Sequence, residues 1–463
     1  MNLLLTHGYF LGEDPKEREI MKPYPPLGIL SITAYLRSKG ISPSVYDTTF
    51  STFENFKQYL LEHRPAFIGI YTNLMTKLRV LQIISFVRSR KELAGTKIFL
   101  GGPEITFHVD NFLQHGADAV VIGEGEESAY ELLGAWENGT DLHAVQGIAF
   151  RENDGAVVRT APRPLLKNVD ALPSPARDAI NLNAYIETWR EHHGRSAVSI
   201  NTMRGCPYTC HWCSRAVYGN SYRRRSPAVV ADEIASITAT YNPDTFWFVD
   251  DVFTISPKWL RGFADEMAAR NLQIQYECIT RADRMSEETV ELLVRSGCYR
   301  VWIGAESGSQ KIIDAMDRRV EVTKVQEMIR LCKKRGIETG TFIMLGYPGE
   351  TEQDIVQTIE HLKACLPDHY TVTTTYPITG TPLYNEVQER LTVQPDWDTS
   401  TDRDLDFERT YPKRYYRHAL RRLYNEVELH KLRTNGGSIL RQLECGAKMT
   451  AARIAMAWTR RTS

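Results

Sequence analysis

The chain has 463 residues, of which 42% are hydrophobic and 24% charged, and its formal net charge is −1 at pH 7. This length predicts two or three domains, because one hydrophobic core stops growing at about 250–300 residues. The near-zero net charge gives no overall attraction to nucleic acid, and we expect no nucleic-acid partner. Neither a signal-peptide pattern nor an uncharged apolar run of membrane-spanning length occurs. We therefore expect a cytoplasmic globular protein.

Residues 1–150 alternate short apolar strands with helices whose apolar residues recur three and four positions apart. Such repeats predict an α/β fold with a doubly wound parallel sheet, which binds ligands beyond the carboxyl ends of its strands. Gly101 and Gly102 follow the fourth strand. Paired glycines there either admit a bulky ligand or simply form a tight turn. The predicted strands are 2–6, 44–46, 67–71, 97–100 and 119–122.

Residues 151–196 are rich in proline and charge, show little periodicity, and are predicted to be a linker. A second strand–helix series occupies residues 197–390. Six such units predict a partial (β/α)6 barrel, whose site lies at the carboxyl ends of its strands. The predicted strands of this series are 197–202, 245–249, 273–279, 299–303, 338–344 and 370–374.

Residues 391–463 are predicted to be a mainly helical C-terminal extension. From residue 411 onward the chain has 12 Lys and Arg against 3 Glu, a net charge of +9. Such a basic, amphipathic end permits peripheral contact with an anionic membrane or partner. The alternative is a solvated helical face packed against the barrel.

Three cysteines, Cys206, Cys210 and Cys213, lie in the run Arg-Gly-Cys-Pro-Tyr-Thr-Cys-His-Trp-Cys after the first strand of the second series. Soft thiolates select iron–sulfur clusters, zinc or copper(I). Most protein-bound [4Fe–4S] clusters use four cysteines, so three would leave one iron open. The remaining cysteines are predicted to be reduced core residues: Cys278, Cys298, Cys332, Cys365 and Cys445.

The cysteine loop, with Trp212 before its last cysteine, resembles that of the radical S-adenosylmethionine (SAM) enzymes. Four further segments follow in the expected order, starting at Phe248, Thr280, Gly304 and Met344. Together with the preceding α/β domain, residues 1–390 resemble the cobalamin-binding subgroup of that family. The resemblance implies a [4Fe–4S] cluster on the three cysteines and SAM on the open iron. It further implies a radical that abstracts hydrogen from an unactivated carbon.

The resemblance also implies contacts to SAM. Arg281 matches a strand-end position where a cation pairs with the SAM carboxylate. Glu306 and Ser307 match a segment that contacts ribose or methionine polar groups. Trp212 and the backbone of 343–345 would flank the adenine. The resemblance names no catalytic residue.

Each of these residues also has a structural alternative. Arg281 could pair with Asp283 or Asp251, and Glu306 could cap the following helix. The basic run Arg223 to Arg225 is expected to be solvated, or else to hold an anionic group of the substrate. His7, His108 and His211 are expected to be bystanders.

The first domain departs from the best-known cobalamin pattern. That pattern has Asp-x-His-x-x-Gly after the first strand, whereas residues 6–13 read Thr-His-Gly-Tyr-Phe-Leu-Gly-Glu. Later landmarks persist at Thr72, Leu74, Gly101 and Gly102. The resemblance therefore implies cobalamin bound at these four residues without a histidine ligand. The alternative is a degenerate domain that has lost the cofactor.

The resemblance thus implies a cobalamin-dependent radical SAM enzyme, with C-methylation as the leading reaction. A radical cyclase, oxidase or rearrangement enzyme of tetrapyrrole or lipid biosynthesis is an alternative. A zinc-binding or regulatory non-catalytic protein is an alternative of another class. Methylthiolation is disfavoured, because residues 1–205 contain no cysteine for a second cluster. The implied partners are a small-molecule or lipid substrate and an electron donor such as flavodoxin or ferredoxin.

Overall fold

The computed structural model describes residues 1–460, which divide into two compact units. Unit 1 comprises Met1–Pro207, Ser214–Trp247 and Pro395–Asp402. Unit 2 comprises Tyr208–Cys213, Phe248–Gln394 and the described chain from Arg403 onward. The short segment Pro395–Asp402, which we had placed in the C-terminal extension, therefore belongs to unit 1.

Unit 1 contains a seven-stranded sheet. Its strands are β1 Leu3–His7, β2 Ser44–Tyr46, β3 Phe67–Tyr71, β4 Lys97–Gly101, β5 Ala119–Val121, β6 Ile148–Arg151 and β7 Val157–Arg159. The strand order is β2-β1-β3-β4-β5-β6-β7. The first five strands are parallel, and β6 and β7 are antiparallel. The order 2-1-3-4-5 is that of a doubly wound sheet with a ligand-binding switch point between β1 and β3.

Alternate side chains of these strands enter separate hydrophobic clusters. Leu4 and Ile98 belong to one cluster, whereas Leu3, Leu5 and Phe99 belong to the other. Because successive side chains of a strand point to opposite faces, both faces of the sheet are buried, as a parallel sheet requires. The helices of unit 1 are α1 Pro15–Ile20, α2 Leu27–Ser38, α3 Phe53–His63, α4 Lys77–Ser89, α5 Val109–Gln114, α6 Gly125–Asn138, α7 Leu182–His193 and α8 Pro227–Tyr241.

The stretch predicted as a linker, 151–196, is more ordered than its sequence indicated. The first sheet continues through β7 to Arg159, and α7 buries Tyr185 and Trp189. Strands of three and four residues are too short to display a clear alternation, so the hairpin β6–β7 left no periodic signal.

The remaining strands are β8 Ala197–Ile200, β9 Met203–Arg204, β10 Arg223–Arg224, β11 Thr245–Phe248, β12 Tyr276–Thr280, β13 Cys298–Glu306, β14 Glu338–Leu345, β15 His369–Thr374, β16 Leu391–Val393 and β17 Asp406–Phe407. A six-stranded sheet has the order β15-β14-β13-β12-β11-β8. Strands β12 to β15 pair in parallel. Two small antiparallel ribbons, β9–β10 and β16–β17, complete the strands.

Helices separate the strands of this second sheet, as the strand–helix series predicted. They are α9 Pro257–Ala269, α10 Glu287–Arg295, α11 Gln310–Ala315, α12 Val322–Lys334, α13 Glu352–Cys365 and α14 Pro382–Val387, followed by α15 Lys413–Thr434 and α16 Ile439–Thr459. Two helix starts have side-chain caps: Ser226 accepts from the Val229 N–H before α8, and Thr351 with Asp354 forms a capping box at α13. Within residues 1–460, no helix is long and apolar enough to cross a membrane.

Candidate functional site

Cys210, the central cysteine of the loop, is buried beside two arginine side chains of unit 2. Arg281 Nη1 donates to the Cys210 sulfur at 3.5 Å, and Arg318 Nη1 donates to it at 3.7 Å. Both guanidinium groups are themselves buried. The Arg318 Nε has no hydrogen-bond partner among residues 1–460. Buried donors are normally satisfied, so this one suits a ligand with an acceptor or a negative charge.

Arg281 follows β12 and has a partner at each of its three nitrogens. Nε donates to Asp283 at 2.9 Å, Nη1 donates to Cys210, and Nη2 donates to the Arg318 carbonyl. Its guanidinium also lies 3.8 Å from the ring centroid of Tyr208. The structural ion pair with Asp283 is therefore present, and a SAM carboxylate would share the group with it. The predicted SAM contact of Arg281 stays a prediction.

Glu306 ends β13 in a left-handed backbone conformation, with φ of 65°. The register between β13 and β14 shifts between Gly304 and Glu306. Glu306 Oε1 lies 3.5 Å from Arg318 Nη2, which donates to the Gly304 carbonyl at 3.0 Å. Burial raises the pKa of the Glu306 carboxyl, and Arg318 opposes that rise. Non-glycine residues in this conformation are uncommon and concentrate at functional sites.

One alternative for Glu306 is removed. The helix that follows, α11, begins at Gln310 after Ser309, so Glu306 does not cap it. Ser307, by contrast, has structural partners. Its Oγ lies 3.1 Å from Thr358 Oγ1 and accepts from the Ser309 N–H at 3.1 Å. The SAM contacts predicted for Glu306 and Ser307 stay predictions.

Trp212 is half-buried against an apolar cluster of unit 2 that includes Met316 and Leu383. Met344, on β14, packs against the same cluster. The structure therefore brings together the two segments expected to flank an adenine ring. Arg318 lies 5.7 Å from the Trp212 ring centroid, within cation–π range.

The other two loop cysteines fall in different units. Cys206 is buried and belongs to unit 1, whereas Cys213 is half-buried and belongs to unit 2. Across residues 1–460, no three His, Cys, Asp or Glu side chains converge to hold a single metal ion. In a cubane cluster each thiolate binds a different iron, so the ligands need not converge on one point. The assignment of the cluster to Cys206, Cys210 and Cys213 stays a prediction.

The residues predicted to bind cobalamin lie at the carboxyl ends of β3 and β4. Thr72 is buried, and its Oγ1 has no hydrogen-bond partner in the described chain. A Cβ added at Gly101 would meet no atom within 4 Å, and Leu74 is half-buried. Gly102 has φ of 110°, and a Cβ there would lie 2.4 Å from the Thr72 carbonyl oxygen. This edge combines an unsatisfied hydroxyl with open space, which fits a bulky ligand.

Both ring nitrogens of His7 have protein partners. Nε2 lies 2.9 Å from Asp47 Oδ1, and Nδ1 accepts from the Tyr9 N–H at 3.2 Å. A histidine bound on both sides has no nitrogen left for a metal, which supports its role as a bystander. The ring of His108 instead packs on Trp397.

The arginine run 223–225 is not solvated, contrary to our expectation. Arg223 and Arg224 form β10, and all three side chains are half-buried. Arg223 pairs with Glu124 at 2.7 Å, and Arg225 pairs with Glu233. Burial opposes ionisation of Glu124, but hydrogen bonds, first among them that of Arg204, hold its pKa below the usual value. Arg223 and Arg225 therefore pair with carboxylates of the protein itself, and Arg224 donates to the Thr202 hydroxyl.

Sequence reasoning missed Arg318 and the segment around Trp397. Arg318 lies in an Asp-Arg-Arg run between α11 and α12, and nothing in that run shows which arginine turns inward. In unit 1, the buried Lys77 donates to the Trp397 carbonyl at 2.7 Å, and its ammonium lies 4.5 Å from that ring centroid. Only tertiary structure relates residues so distant in sequence.

Two family models match the chain. The radical SAM superfamily model matches residues 200–362, and the B12 binding domain model matches residues 18–133. The first range includes the cysteine loop, Arg281 and Glu306, and the second includes Thr72 and Gly101. Each match lies inside the domain predicted for it, 197–390 and 1–150.

Curated relatives cover most of the chain at low identity. An uncharacterized methyltransferase of Pyrococcus horikoshii is 27% identical over 81% of this chain and 81% of its own length. An anaerobic magnesium-protoporphyrin IX monomethyl ester cyclase of Synechocystis is 27% identical over 83% of this chain and 77% of its own. A hopanoid C-3 methylase of Methylococcus capsulatus is 24% identical, with coverages of 80% and 70%.

Two solved structures share the fold. The radical SAM methyltransferase TsrM from Kitasatospora setae, with cobalamin and a [4Fe–4S] cluster bound, has a TM-score of 0.70 at 20% identity and covers 84% of this chain and 74% of its own. The cobalamin-dependent SAM radical enzyme OxsB, with aqua-cobalamin and SAM bound, has a TM-score of 0.75 at 17% identity, with coverages of 98% and 71%. These similarities confirm the predicted fold class.

The residues present fit the implied cofactors: the unpartnered Arg318 Nε beside Cys210 fits the cluster with SAM, and the open edge at Thr72 fits cobalamin. The two family models imply the same three groups, a [4Fe–4S] cluster, SAM and cobalamin. The chain therefore combines a radical SAM domain with a B12-binding domain, and it has the fold of the cobalamin-dependent radical SAM enzymes TsrM and OxsB.

Proposed function

We propose that this protein transfers a methyl group from SAM to an unactivated carbon of a small-molecule or lipid substrate. The observation that carries the proposal is the buried Arg281–Cys210–Arg318 arrangement, in a chain that also contains a B12-binding domain with an open carboxyl edge. When bound, the cluster, SAM and cobalamin supply radical formation and the methyl donor.

The chain's own residues bind, orient and shield these groups. Arg281 and Arg318 place hydrogen-bond donors on the Cys210 sulfur, and such outer contacts tune a metal site. Glu306 and the Gly304 carbonyl hold Arg318 in position. Trp212 and Met344 supply apolar surface that excludes water from the reacting groups.

Radical cyclisation is the second candidate. It is favoured by the Synechocystis cyclase, which has the same 27% identity to this chain as the Pyrococcus methyltransferase. The two reactions share cofactors and differ in whether a carbon–methyl bond forms in the product.

The proposal includes two partners. A one-electron donor of the flavodoxin or ferredoxin type would reduce the cluster. The basic chain from residue 411 would contact an anionic membrane peripherally.

The test uses anaerobically purified, reconstituted protein with cobalamin, a low-potential reductant and SAM labelled in its methyl group. With a cell extract as substrate source, we expect 5′-deoxyadenosine, S-adenosylhomocysteine and a product carrying the label on carbon. A C213A variant should give none of these. Product formation without label would favour the cyclase, and uncleaved SAM would contradict both reactions.

A further inference from the structure

Helix α16 presents a row of large apolar side chains to solvent. Leu440 is 79% exposed, Leu443 66%, Ile454 57% and Trp458 78%. At about 3.6 residues per turn, the four fall within one stripe roughly 60° wide and about 27 Å long. Single exposed apolar residues are common, but a continuous row marks an interaction surface.

This row is not the face that packs on the protein. The buried residues of α16 are Cys445, Ala452 and Met456, and α15 packs along the helix. Their helical positions lie on the side opposite the row. Helix α16 therefore has one apolar face inside unit 2 and a second one exposed.

Basic residues lie on both sides of the helix, between the exposed row and the buried face: Arg441 and Lys448 on one side, Arg453 and Arg460 on the other. Three of them form exposed ion pairs, which are weak and easily exchanged. Arg453 makes no ion pair with any residue of 1–460. Residues 411–463 carry +9, so with a total of −1 the first 410 residues carry −10. This positive charge is shared between α15, with a net charge of +5, α16, with +2, and the two arginines that follow α16.

We infer that the outer face of α16 docks flat on an anionic lipid surface. Its apolar row would enter the headgroup boundary, and its basic flanks would meet the lipid phosphates. Trp458 at the end of the row is a residue type that favours such boundaries. A second copy of the chain is disfavoured as the partner of this face, because two C-terminal segments that each carry a net charge of +9 would repel each other. The inference rests on the membrane contact proposed above and not on the reaction.

The full-length protein is mixed with vesicles of phosphatidylcholine alone or with about one third phosphatidylglycerol, and binding is measured by flotation. We expect binding to the anionic vesicles and at least about tenfold weaker binding to the neutral ones. The double variant L440Q/L443Q should bind about tenfold more weakly or worse, because it removes two apolar anchors. V294Q, at an exposed apolar residue of α10, is the matched control and should bind like the wild type.

A second readout places the helix in the bilayer. Brominated lipids should quench tryptophan fluorescence of the wild type, and W458F should lose that quenching. Thermal unfolding of each variant verifies that it is folded.

Failure of the wild type to bind anionic vesicles, or wild-type binding by a folded L440Q/L443Q, would overturn the inference. The inference would also be overturned if the wild type did not bind lipid but formed a dimer, and the L440Q/L443Q variant were monomeric. All of these assays omit turnover, so a failure of SAM cleavage bears only on the proposed reaction.

Discussion

The carboxyl edges of the two parallel sheets are prepared for ligands in different ways. At β3 and β4 the features are an unsatisfied hydroxyl on Thr72, open space at Gly101 and a glycine-only turn at Gly102. Beyond the ends of β12 and β13 the features are charged, because the side chains of Arg281 and Arg318 both donate to the Cys210 sulfur. The first edge therefore provides space and close backbone approach for a ligand, and the second provides fixed positive charges.

This difference matches the chemistry proposed for each edge. A large, mostly neutral cofactor is held by surface complementarity, so glycines and small polar groups suffice. A cluster that exchanges an electron and binds a zwitterion needs fixed charges beside it. Substitutions that alter volume should therefore affect the first edge, and substitutions that alter charge should affect the second.

The largest effect is expected from removing a thiolate at the charged edge. C210A should lose the cluster and lower SAM cleavage by at least about 10³-fold, since it removes one of the three predicted thiolate ligands. Iron and sulfide analysis with the visible spectrum measures this. C332A, at a buried cysteine of α12, is the control and should retain iron. A C210A protein with wild-type iron content would contradict the assignment of Cys210 as a ligand of the cluster.

A smaller effect is expected from Arg318, the residue that sequence reasoning missed. R318M should keep the cluster but lower SAM cleavage by about 10–100-fold and shift the cluster's reduction potential, as loss of an outer contact does. R300M is the matched control, because Arg300 is half-buried and pairs with Glu277 and Glu338 near the start of β13. An unchanged potential in R318M would show that its role is only structural.

The predicted cobalamin site at the end of β4 is tested by adding side-chain volume at Gly101. G101V fills the open space at the end of β4 and should weaken cobalamin binding by about tenfold or more while the protein stays folded. G95V is matched, because a Cβ at Gly95 also meets nothing within 4 Å but this residue precedes β4. Cobalamin spectra after gel filtration give the comparison. Equal retention in both variants would remove Gly101 from the site.

The smallest effect concerns a buried carboxyl that follows β14. Glu350 is fully buried, accepts from the Gly346 N–H at 2.6 Å, and burial raises its pKa to about 8. Because the folded state holds this proton more tightly than the unfolded state, where the pKa is about 4.3, stability falls as pH rises between those values.

E350Q removes that dependence. Relative to wild type, its melting temperature should rise by roughly 2–4 °C between pH 5 and pH 9. E338Q provides the contrast: burial opposes ionisation of Glu338, but Arg300 holds its pKa below the usual value, so this substitution should destabilise at pH 7. A pH-independent difference between E350Q and wild type would show that Glu350 is ionised in the folded protein.

Local patterns predicted the strands well and the long-range contacts poorly. The predicted strand 67–71 coincides with β3, because this short apolar run follows Pro65 and stops at the polar residues Thr72 and Asn73. The start of β12 was placed three residues early, at Gln273 instead of Tyr276, since nothing in the sequence marks where pairing begins. The hairpin β6–β7 was too short to detect.

In the candidate site, too, local features could be predicted from the sequence and long-range contacts could not. The spacing of Cys206, Cys210 and Cys213 is local and was visible in the sequence, as was the glycine pair after β4. The contact of Arg318 with Cys210 joins residues 108 positions apart, and that of Lys77 with Trp397 joins residues 320 apart. Residue type alone does not reveal such pairs.

The most direct measurement of the central claim is anaerobic metal and product analysis of the reconstituted protein. We expect about four irons and four sulfides per chain, bound cobalamin, and cleavage of SAM to 5′-deoxyadenosine on reduction. One zinc per chain, no brown colour and intact SAM would contradict the central claim.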